Sequence, residues 1–526
     1  MAGAAKWTPA RSAAGDRNPW LIVGVISLAT FMEVLDTSIA NVSLDHIAGG
    51  LSASRDQATW VLTSYLVANA IIIPISGWLS DVIGRKRYYM ISVALFTASS
   101  FACALAPNLP LLILARVLQG VGGGGLAPSE QSFLADTFPP EKRGQAFAAY
   151  GVVVVVGPVL GPTLGGIITD NLSWHWIFLI NVPIGIASLL LVGSFVNEPE
   201  VLEKERRERL RHGLRVDYVG FALVALGLGC LEVLLERGER EDWFHSGFIV
   251  AMTLISILSL ALLVWWELAR RDPIVDLRLL GNRNFAITMA FMTTTGAVLF
   301  GTTTLIPQML QEVFDYDATN AGLALTTGGI ATLLAMPVVG QLAGRVDTRL
   351  LLIPALILQV VALWYMSGWN TQISYGDASF GRLISALGLP FLFIPISTAA
   401  YVGVDPGKTN EVSSLLNVAR NLGGSFGIGL SQAALIERGQ YHQDRLVEGL
   451  NPLNPSYVEG LDRLGQTLTG SGQDMAQLAV LYQQVQQQAR MLSYIDVFWG
   501  TMIFVICIIP FGFFLRQGRN GEAAAA

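Results

Sequence analysis

The stretch GWLSDVIGRKR, residues 77–87, closes one long apolar segment and opens a basic loop. A related stretch, GQLAGRVDTR at 340–349, stands in the same place after a later apolar segment. Each ends the second helix of a block of six apolar segments. The chain therefore divides into two six-helix halves, and this weak internal repeat decides the fold class.

Composition excludes an ordinary soluble enzyme. Of the 526 residues, 52% are hydrophobic and only 14% are charged, whereas soluble proteins carry about a quarter charged residues. Apolar runs of roughly 20 residues indicate membrane helices, which satisfy their own backbone polar groups in lipid. The formal charge of −6 does not suggest a nucleic-acid partner. Three cysteines in apolar runs predict neither a disulfide framework nor a metal site.

Hydropathy predicts an all-α polytopic membrane protein with 14 transmembrane helices, arranged as two six-helix bundles plus an inserted helix pair. We place the spans near residues 20–44, 58–79, 88–106, 110–133, 144–168, 176–196, 216–236, 247–268, 285–310, 320–343, 349–368, 380–402, 411–436 and 494–515. The predicted domains are a leader (1–19), a bundle (20–196), a cytoplasmic linker (197–215), the inserted pair (216–268), a second linker (269–284), a bundle (285–515) and a tail (516–526).

Basic residues predict the orientation. With a cytoplasmic N-terminus, 23 of the 33 Lys and Arg residues fall on the cytoplasmic side, as the positive-inside rule requires. Both termini are then cytoplasmic. Within the linker, the charged segment 198–215 is interpreted as an amphipathic connector at the membrane surface, with a regulatory role as the alternative.

The outward loop 437–493 is far longer than the others. Apolar side chains recur at helical spacing in its last part: Met475, Leu478, Tyr482, Val485, Ala489 and Leu492. This pattern indicates an amphipathic helix that needs a surface to cover its apolar stripe. The protein's own outer face and a partner protein are equally good candidates for that surface.

Charged side chains inside spans are candidate functional residues, because each costs several kcal/mol unless it faces a cavity or a partner. Glu33 and Asp36 lie one turn apart on span 1. Asp36 is roughly 24 Å along its helix and Arg116 about 9 Å from the outer end of span 4, so their depths are compatible. We predict that Asp36 exchanges between Arg116, a proton and a cationic substrate. The alternative is a permanent ion pair that holds helices together.

Three residues are candidates for a substrate cavity: Glu33, Arg420 and Asn417. Arg420 lies near the predicted midplane and needs a counter-charge or a cavity. For Glu33, a carboxyl hydrogen-bonded between helices is an equally good interpretation. Four other acidic residues lie nearer to span ends, where an interfacial position or loop ion pairing is favoured: Glu130, Asp136, Glu232 and Glu236.

Span 5 contains the glycine-rich stretch GVVVVVGPVLGPTLGG, residues 151–166. Small residues at about four-residue spacing form a face that lets another helix approach closely, and the prolines kink the helix. Such a face suits an interface that slides or seals, and ordinary tight packing is the alternative. The charged residues that follow span 2 are interpreted as a cytoplasmic latch.

These motifs resemble those of a known family. GWLSDVIGRKR, RVLQGVGGG (116–124), GPVLGPTLGG (157–166) and FMEVLDTSIANVSL (31–44) are similar to signatures of the major facilitator superfamily, and most of all to its 14-helix drug:proton antiporters. The resemblance covers essentially the whole chain. The long outward loop is similar to that of EmrB-type multidrug efflux pumps. Those pumps work in the inner membrane of Gram-negative bacteria with a periplasmic adaptor and an outer-membrane channel.

The resemblance implies roles for individual residues. Asp36 would be the proton-coupling carboxylate and Arg116 its relay partner; Glu33, which departs from the family pattern, would add a second proton site or a preference for cationic substrates. The antiporter motif would comprise Gly157, Pro158, Gly161, Pro162, Gly165 and Gly166. The gating latch would comprise Gly77, Asp81, Gly84, Arg85, Arg87 and Asp136. Two departures matter: Glu33 replaces a residue that is usually uncharged, and Gly344 stands where the first half has Asp81, which predicts an asymmetric latch.

We therefore expect a proton-driven exporter of hydrophobic or amphipathic drugs that contacts membrane lipid, a periplasmic adaptor and, through it, an outer-membrane channel. No cofactor, metal site or catalytic residue is expected. A narrow exporter of one metabolite, siderophore, fatty acid or antibiotic is the first alternative. A non-transporting scaffold or receptor is the second, and only the long outward loop supports it.

Overall fold

The computed structural model describes residues 12–14, 17–211, 216–270, 272–451, 454–455, 457–461 and 473–515. Most of the leader, the end of the first linker, part of the outward loop and the tail lie outside the described residues. Within them the chain is helical and contains no strand. This architecture confirms the predicted all-α class.

The long helices follow the predicted order. In the first half they are α1 (Pro19–Val42), α2 (Trp60–Ile83), α3 (Arg85–Ala104), α4 (Leu109–Gly123), α5 (Leu126–Thr137), α6 (Pro140–Asn171) and α7 (Asn181–Phe195). The linker helix α8 (Glu200–Arg211) precedes the inserted pair, α9 (Tyr218–Arg237) and α10 (Gly247–Ala269). The second half comprises α11 (Arg283–Phe314), α12 (Ala318–Ala343), α13 (Thr348–Ser367), α14 (Tyr375–Ala399), α15 (Thr409–Glu448) and α16 (Gln473–Gly512).

The number of membrane spans stays a prediction. Among the described residues, 11 helical segments are long and apolar enough to cross a membrane. Helices α3, α6 and α15 have the length of a span but are not among these segments. Each of the three occupies the place of one of the fourteen predicted spans.

Helices α15 and α16 extend well past the predicted span boundaries. Helix α15 continues to Glu448 and α16 begins at Gln473, so much of the predicted loop 437–493 is helix. Hydropathy predicts only where the apolar part of a helix ends. The helical backbone hydrogen bonds can continue beyond that point. The two helices contact each other where the extension of α15 begins, since Arg438 of α15 pairs with Asp496 of α16.

Close backbone packing positions α4 for the candidate site. A Cβ at Gly122 would lie 2.6 Å from the Phe96 backbone nitrogen, and one at Gly124 would lie 2.9 Å from the Asn69 carbonyl oxygen. Only glycine permits such an approach of α4 to α2 and α3. Gly124 and Gly125 then separate α4 from α5. Arg116, a charged residue about two helical turns before these glycines, is thereby held in the interior.

The inserted pair packs beside the contact between the two halves. Ser256 on α10 donates to the Gly227 carbonyl oxygen of α9 at 2.9 Å. A Cβ at Gly229 would lie 3.1 Å from Ile71 on α2, and Ser425 on α15 donates to Glu232 at 2.7 Å. Helix α9 therefore contacts one helix of each half.

Candidate functional site

Asp36 and Arg116 meet inside the first half. Arg116 Nη1 donates to Asp36 Oδ2 at 2.6 Å, and the two side chains are 0% and 1% exposed. Gln119 Nε2 and Asn181 Nδ2 donate to Asp36 Oδ1 at 2.9 and 2.7 Å. Asp36 is thus the acceptor for three donors from two other helices, one of them a cation, which is the environment of a carboxylate.

The Arg116 guanidinium is held from several sides. Its Nε donates to the Val61 carbonyl oxygen at 3.0 Å and its Nη1 also donates to Gln119 Oε1 at 2.7 Å. The guanidinium carbon lies 4.4 Å from the centre of the Tyr65 ring, a cation–π distance. Nη2 has no hydrogen-bond acceptor among the described residues. Arg116 therefore retains a donor that could bind another acceptor.

Glu33 lies one turn from Asp36 on α1. Asn69 Nδ2 and the Tyr65 hydroxyl donate to Glu33 Oε1 at 3.2 and 3.4 Å. Its charge interacts with Arg420 of α15, whose Nε has no hydrogen-bond acceptor among the described residues. Glu33 and Arg420 are both only partly buried. The structure thus brings an acid and a base from opposite halves to one central region.

Asn417 contributes differently from the other two cavity candidates. Its side chain is 1% exposed, and its Nδ2 donates to Gln131 Oε1 of α5 at 2.9 Å. This contact joins the two halves. In this structure Asn417 therefore lies within a sealed helix contact rather than beside open space.

The glycine row of α6 packs on the part of α1 that carries Asp36. A Cβ at Gly157 would lie 2.6 Å from Val34, one at Gly161 would overlap Ser38, and one at Gly165 would lie 3.2 Å from Ile39. Pro158 lies within the helix, as does the backbone of Pro162, while an added Cβ at Gly166 would meet no atom within 4 Å. Three glycines therefore set the distance between α6 and the helix of the buried carboxylate.

The predicted latch residues join the two halves at the end of the bundle where α2 ends and α3 begins, called the inner end below. Arg85 Nη1 donates to Asp136 Oδ2 at 2.7 Å, and Thr409 Oγ1 donates to Asp136 Oδ1 at 3.0 Å. Asn410 Nδ2 donates to Asp81 Oδ1 at 2.6 Å. First-half carboxylates thus accept hydrogen bonds from the start of α15.

Glycines contribute to the same contact. A Cβ at Gly77 would lie 3.1 Å from the Asn410 carbonyl oxygen, so α2 touches the α15 backbone. Gly84 has φ 99°, a conformation that favours glycine, and forms the turn between α2 and α3. Arg87 is exposed and does not take part. A Cβ at Gly340 would lie 2.6 Å from Ala148, so α6 and α12 also touch here. The inner end is closed in this structure.

Loops at the inner end are tied by an ion pair between Lys408 and Asp276. Partial burial lowers the pKa of Lys408, but the hydrogen bond to Asp276 and the nearby carboxylates outweigh this, and the pKa is raised overall. The charged linker is also anchored, because Glu198 accepts the backbone N–H groups of Arg85 and Lys86 at 3.0 Å each. The linker therefore contacts the start of α3 instead of remaining a free connector.

The expectation of interfacial positions or loop pairing was wrong for two acidic residues. Glu130 is 0% exposed and Glu232 is 4% exposed. Glu130 lies seven residues before the end of α5, about 10 Å of helix, which is too deep for its short side chain to reach the surface. The distance of Glu130 from the end of its helix could therefore have indicated a buried carboxylate. The partners Gln119 and Asn181 were also missed, although each is a polar residue in an apolar run.

Comparisons with known proteins identify the family. The family model of the Major Facilitator Superfamily matches residues 26–428. The chain belongs to this superfamily. The superfamily consists of membrane transporters, so the chain is a multi-pass transporter and not an enzyme.

Individual relatives of this Major Facilitator Superfamily chain extend the match. The chain is 37% identical over 485 residues to the multidrug export protein EmrB of Haemophilus influenzae, covering 91% of this chain and 92% of that one. It is 35% identical over 486 residues to the fatty acid resistance protein FarB of Neisseria gonorrhoeae, covering 92% and 94%. A structure of the proton:xylose symporter XylE is similar in fold, with a TM-score of 0.58 at 13% identity, covering 93% and 96%.

Proposed function

We propose that the chain is a proton-coupled multidrug exporter of a bacterial inner membrane, with both termini in the cytoplasm. The observation that carries the proton coupling is the fully buried Asp36–Arg116 pair. Buried ionisable groups inside a membrane protein are costly and mark ion and proton pathways. Similarity to an EmrB multidrug export protein over most of both chains supports drug export.

Competition for Asp36 supplies the coupling. In this structure Arg116, Gln119 and Asn181 all donate to the carboxylate. A proton arriving from the outer side would neutralise Asp36 and free the Arg116 guanidinium from its ion pair. Because the three glycines of α6 fit closely on α1, a change at Asp36 would act on the α1–α6 contact. Deprotonation towards the cytoplasm would restore the pair and reset the carrier.

In an alternating-access cycle, the present structure with its closed inner end would be one of the two states. The Thr409–Asp136 and Asn410–Asp81 hydrogen bonds join the halves there and would break when that end opens, while the Arg85–Asp136 pair holds Asp136 in place within the first half. The second half has Gly344 in place of an acidic residue, so its contact with α6 relies on close backbone packing instead. The latch would therefore be asymmetric, as the sequence predicts.

Gly77→Leu should favour the state that is open at the inner end. Leucine would clash with the backbone of Asn410 and Glu411, both 3.1 Å from the added Cβ. With the native cysteines replaced, a cysteine at position 417 should react at least several-fold faster with a water-soluble maleimide in Gly77→Leu. Gly24→Leu is the matched control, because its added Cβ meets nothing within 4 Å. Equal labelling rates in both variants would contradict the latch role.

Proton coupling is tested directly in proteoliposomes that contain the purified full-length protein. An imposed pH gradient, with no drug gradient, should drive accumulation of tetraphenylphosphonium, and addition of this cation should in turn dissipate the pH gradient. Both effects should disappear with a protonophore. Transport that ignores the pH gradient would contradict the proposed function.

A second candidate function is export of fatty acids. The observation that favours it is Arg420, a cation with an unfilled donor in the central region, together with the similarity to a fatty acid resistance protein. Arg420 would bind a carboxylate, whereas Glu33 would bind a cation. Transport of a radiolabelled long-chain fatty acid but not of tetraphenylphosphonium by the same proteoliposomes would favour this candidate.

The outer helix extensions would dock a periplasmic adaptor protein and, through it, an outer-membrane channel. The lower part of α16 already packs on the transporter, since Val485 and Ala489 are 7% and 3% exposed. Gln487 also donates to the Val313 carbonyl oxygen at 2.7 Å. Further out, Leu478 and Tyr482 are 47% and 55% exposed. The protein's own surface therefore covers one part of the amphipathic stripe, and the exposed part would be covered by a partner protein.

Replacing Leu478 and Tyr482 together by Asp should abolish drug resistance in cells while transport in proteoliposomes stays unchanged. The reason is that charges on the exposed stripe would prevent an apolar partner from docking. Phe244→Asp is the control, because Phe244 is 62% exposed in another outer loop. Resistance equal to that of the unaltered protein would contradict docking at this stripe.

A further inference from the structure

Glu130 is a fully buried carboxylate that the coupling site leaves unused. It lies on α5, where Thr30 of α1 donates to its Oε2 and Tyr89 of α3 lies 2.8 Å from its Oε1. No described Lys, Arg or His forms an ion pair with it. A buried carboxylate without a cation must carry a proton or rely on neutral donors alone. Asp36, by contrast, has a guanidinium beside it.

The single hydroxyl hydrogen of Tyr89 can serve both the protonated and the ionised state of Glu130. A tyrosine hydroxyl has one hydrogen, yet this oxygen lies 2.8 Å from both the Ile26 carbonyl oxygen and Glu130 Oε1. When Glu130 is protonated, its Oε1–H donates to Tyr89, and Tyr89 donates to Ile26. When Glu130 is ionised, Tyr89 turns its hydrogen to Glu130. Rotation of one hydroxyl therefore serves either state, as a site that binds and releases a proton requires.

Polar side chains are spaced along α1 between the coupling site and Glu130, and we call them the α1 row. Asp36, Glu33 and Thr30 follow at three-residue intervals, so the row covers about 9 Å of helix. Glu33 interacts electrostatically with both Asp36 and Glu130. The row leads from the buried ion pair towards the inner end and ends at Glu130.

Titratable groups from the helices packed against α5 lie near Glu130, and α4 contributes Arg116, which is paired with Asp36. The others are Glu33 of α1, Tyr89 of α3 and Tyr150 of α6, with Tyr65 of α2 bonded to Glu33 and Arg420 of α15 acting on Glu33 and Tyr150. The Tyr150 hydroxyl also lies 3.5 Å from Thr30 Oγ1. Hydroxyl groups are thus the hydrogen-bond partners of Glu130, and Arg420 acts on its neighbours Glu33 and Tyr150.

We propose that Glu130 is a second proton-carrying carboxylate, so that each transport cycle moves one proton on Asp36 and one on Glu130. This inference rests on the proposed function, proton-coupled export. The proton reaches Glu130 along the α1 row while the outer end is open. In this structure Asn417 and Thr409 of α15 hydrogen-bond to α5. When the inner end opens, α15 separates from α5, and the proton leaves Glu130 Oε1 for water.

The test is the number of protons exchanged per substrate. In proteoliposomes with a fixed tetraphenylphosphonium gradient and the membrane potential held at zero by valinomycin with equal K⁺ on both sides, the pH gradient that stops net flux gives this ratio. We expect two protons for the unaltered protein and one for Glu130→Gln, which keeps the shape and the hydrogen bonds but cannot titrate. Glu232→Gln is the matched control: it is also buried and bonded to a hydroxyl, yet it lies on the inserted pair, and it should keep the full ratio.

An unchanged ratio in Glu130→Gln, or a ratio of one in the unaltered protein, would overturn the inference while leaving proton-coupled export intact. Flux that does not respond to the pH gradient in the unaltered protein would instead overturn the proposed function. If Glu130→Gln does not fold, Tyr89→Phe takes its place. Loss of a donor to the ionised carboxylate should move the pH profile of transport up by roughly one pH unit. A profile that does not move would contradict the proposal.

Discussion

Asp36→Asn should abolish pH-driven drug transport while the protein still inserts into the membrane. Asparagine keeps the size of the side chain and can still accept from Gln119 or Asn181, but it cannot bind and release a proton. Accumulation of tetraphenylphosphonium driven by a pH gradient should therefore fall by at least tenfold in proteoliposomes. Exchange of labelled for unlabelled drug without a gradient should persist, since it needs only the substrate cavity and the conformational change.

The chain offers a matched control for this substitution. Asp45 also pairs with an arginine, Arg55, at 3.1 Å, but the two side chains are 65% and 80% exposed. Exposed ion pairs of this kind contribute about 0–1 kcal/mol. Asp45→Asn should therefore transport as well as the unaltered protein. Full pH-driven efflux by Asp36→Asn would overturn the role of Asp36 in coupling.

The sequence predicted the pairing of Asp36 with Arg116 for a simple physical reason. Charges are rare in membrane spans, and helical rise converts residue number into depth, so two opposite charges at similar depths are candidates for a pair. The structure places them 2.6 Å apart. Position along each helix was thus enough to pair these two charges. The partnership of Arg85 and Asp136 came instead from the family resemblance, and these two side chains also meet.

Rotation about the helix axis and the identity of neighbours cannot be read in this way. Glu130 was expected near the interface, and its burial depends on Thr30 and Tyr89, which belong to two other helices. The small-residue row of α6 was recognised as a packing face, but its partner was not, and this proves to be the part of α1 around Asp36. Hydropathy describes one segment at a time, whereas both features arise from the contact of several helices.

Arg116→Gln should destabilise the protein by about 3–5 kcal/mol, because it leaves the Asp36 carboxylate buried without a cation. The midpoint of thermal unfolding in detergent should fall clearly. The double variant Asp36→Asn with Arg116→Gln removes both charges and leaves two amides that can hydrogen-bond to each other. It should therefore recover most of the lost stability, as expected for two residues in direct contact.

The double variant also decides between the two interpretations of the pair. If Asp36 and Arg116 only held helices together, restoring stability with neutral partners would restore pH-driven transport as well. If Asp36 exchanges its partner for a proton, the double variant should fold and insert yet remain uncoupled, as Asp36→Asn alone does. A stable double variant with full pH-driven transport would show that the ion pair is structural, and coupling would then have to reside in the other buried carboxylates of the first half.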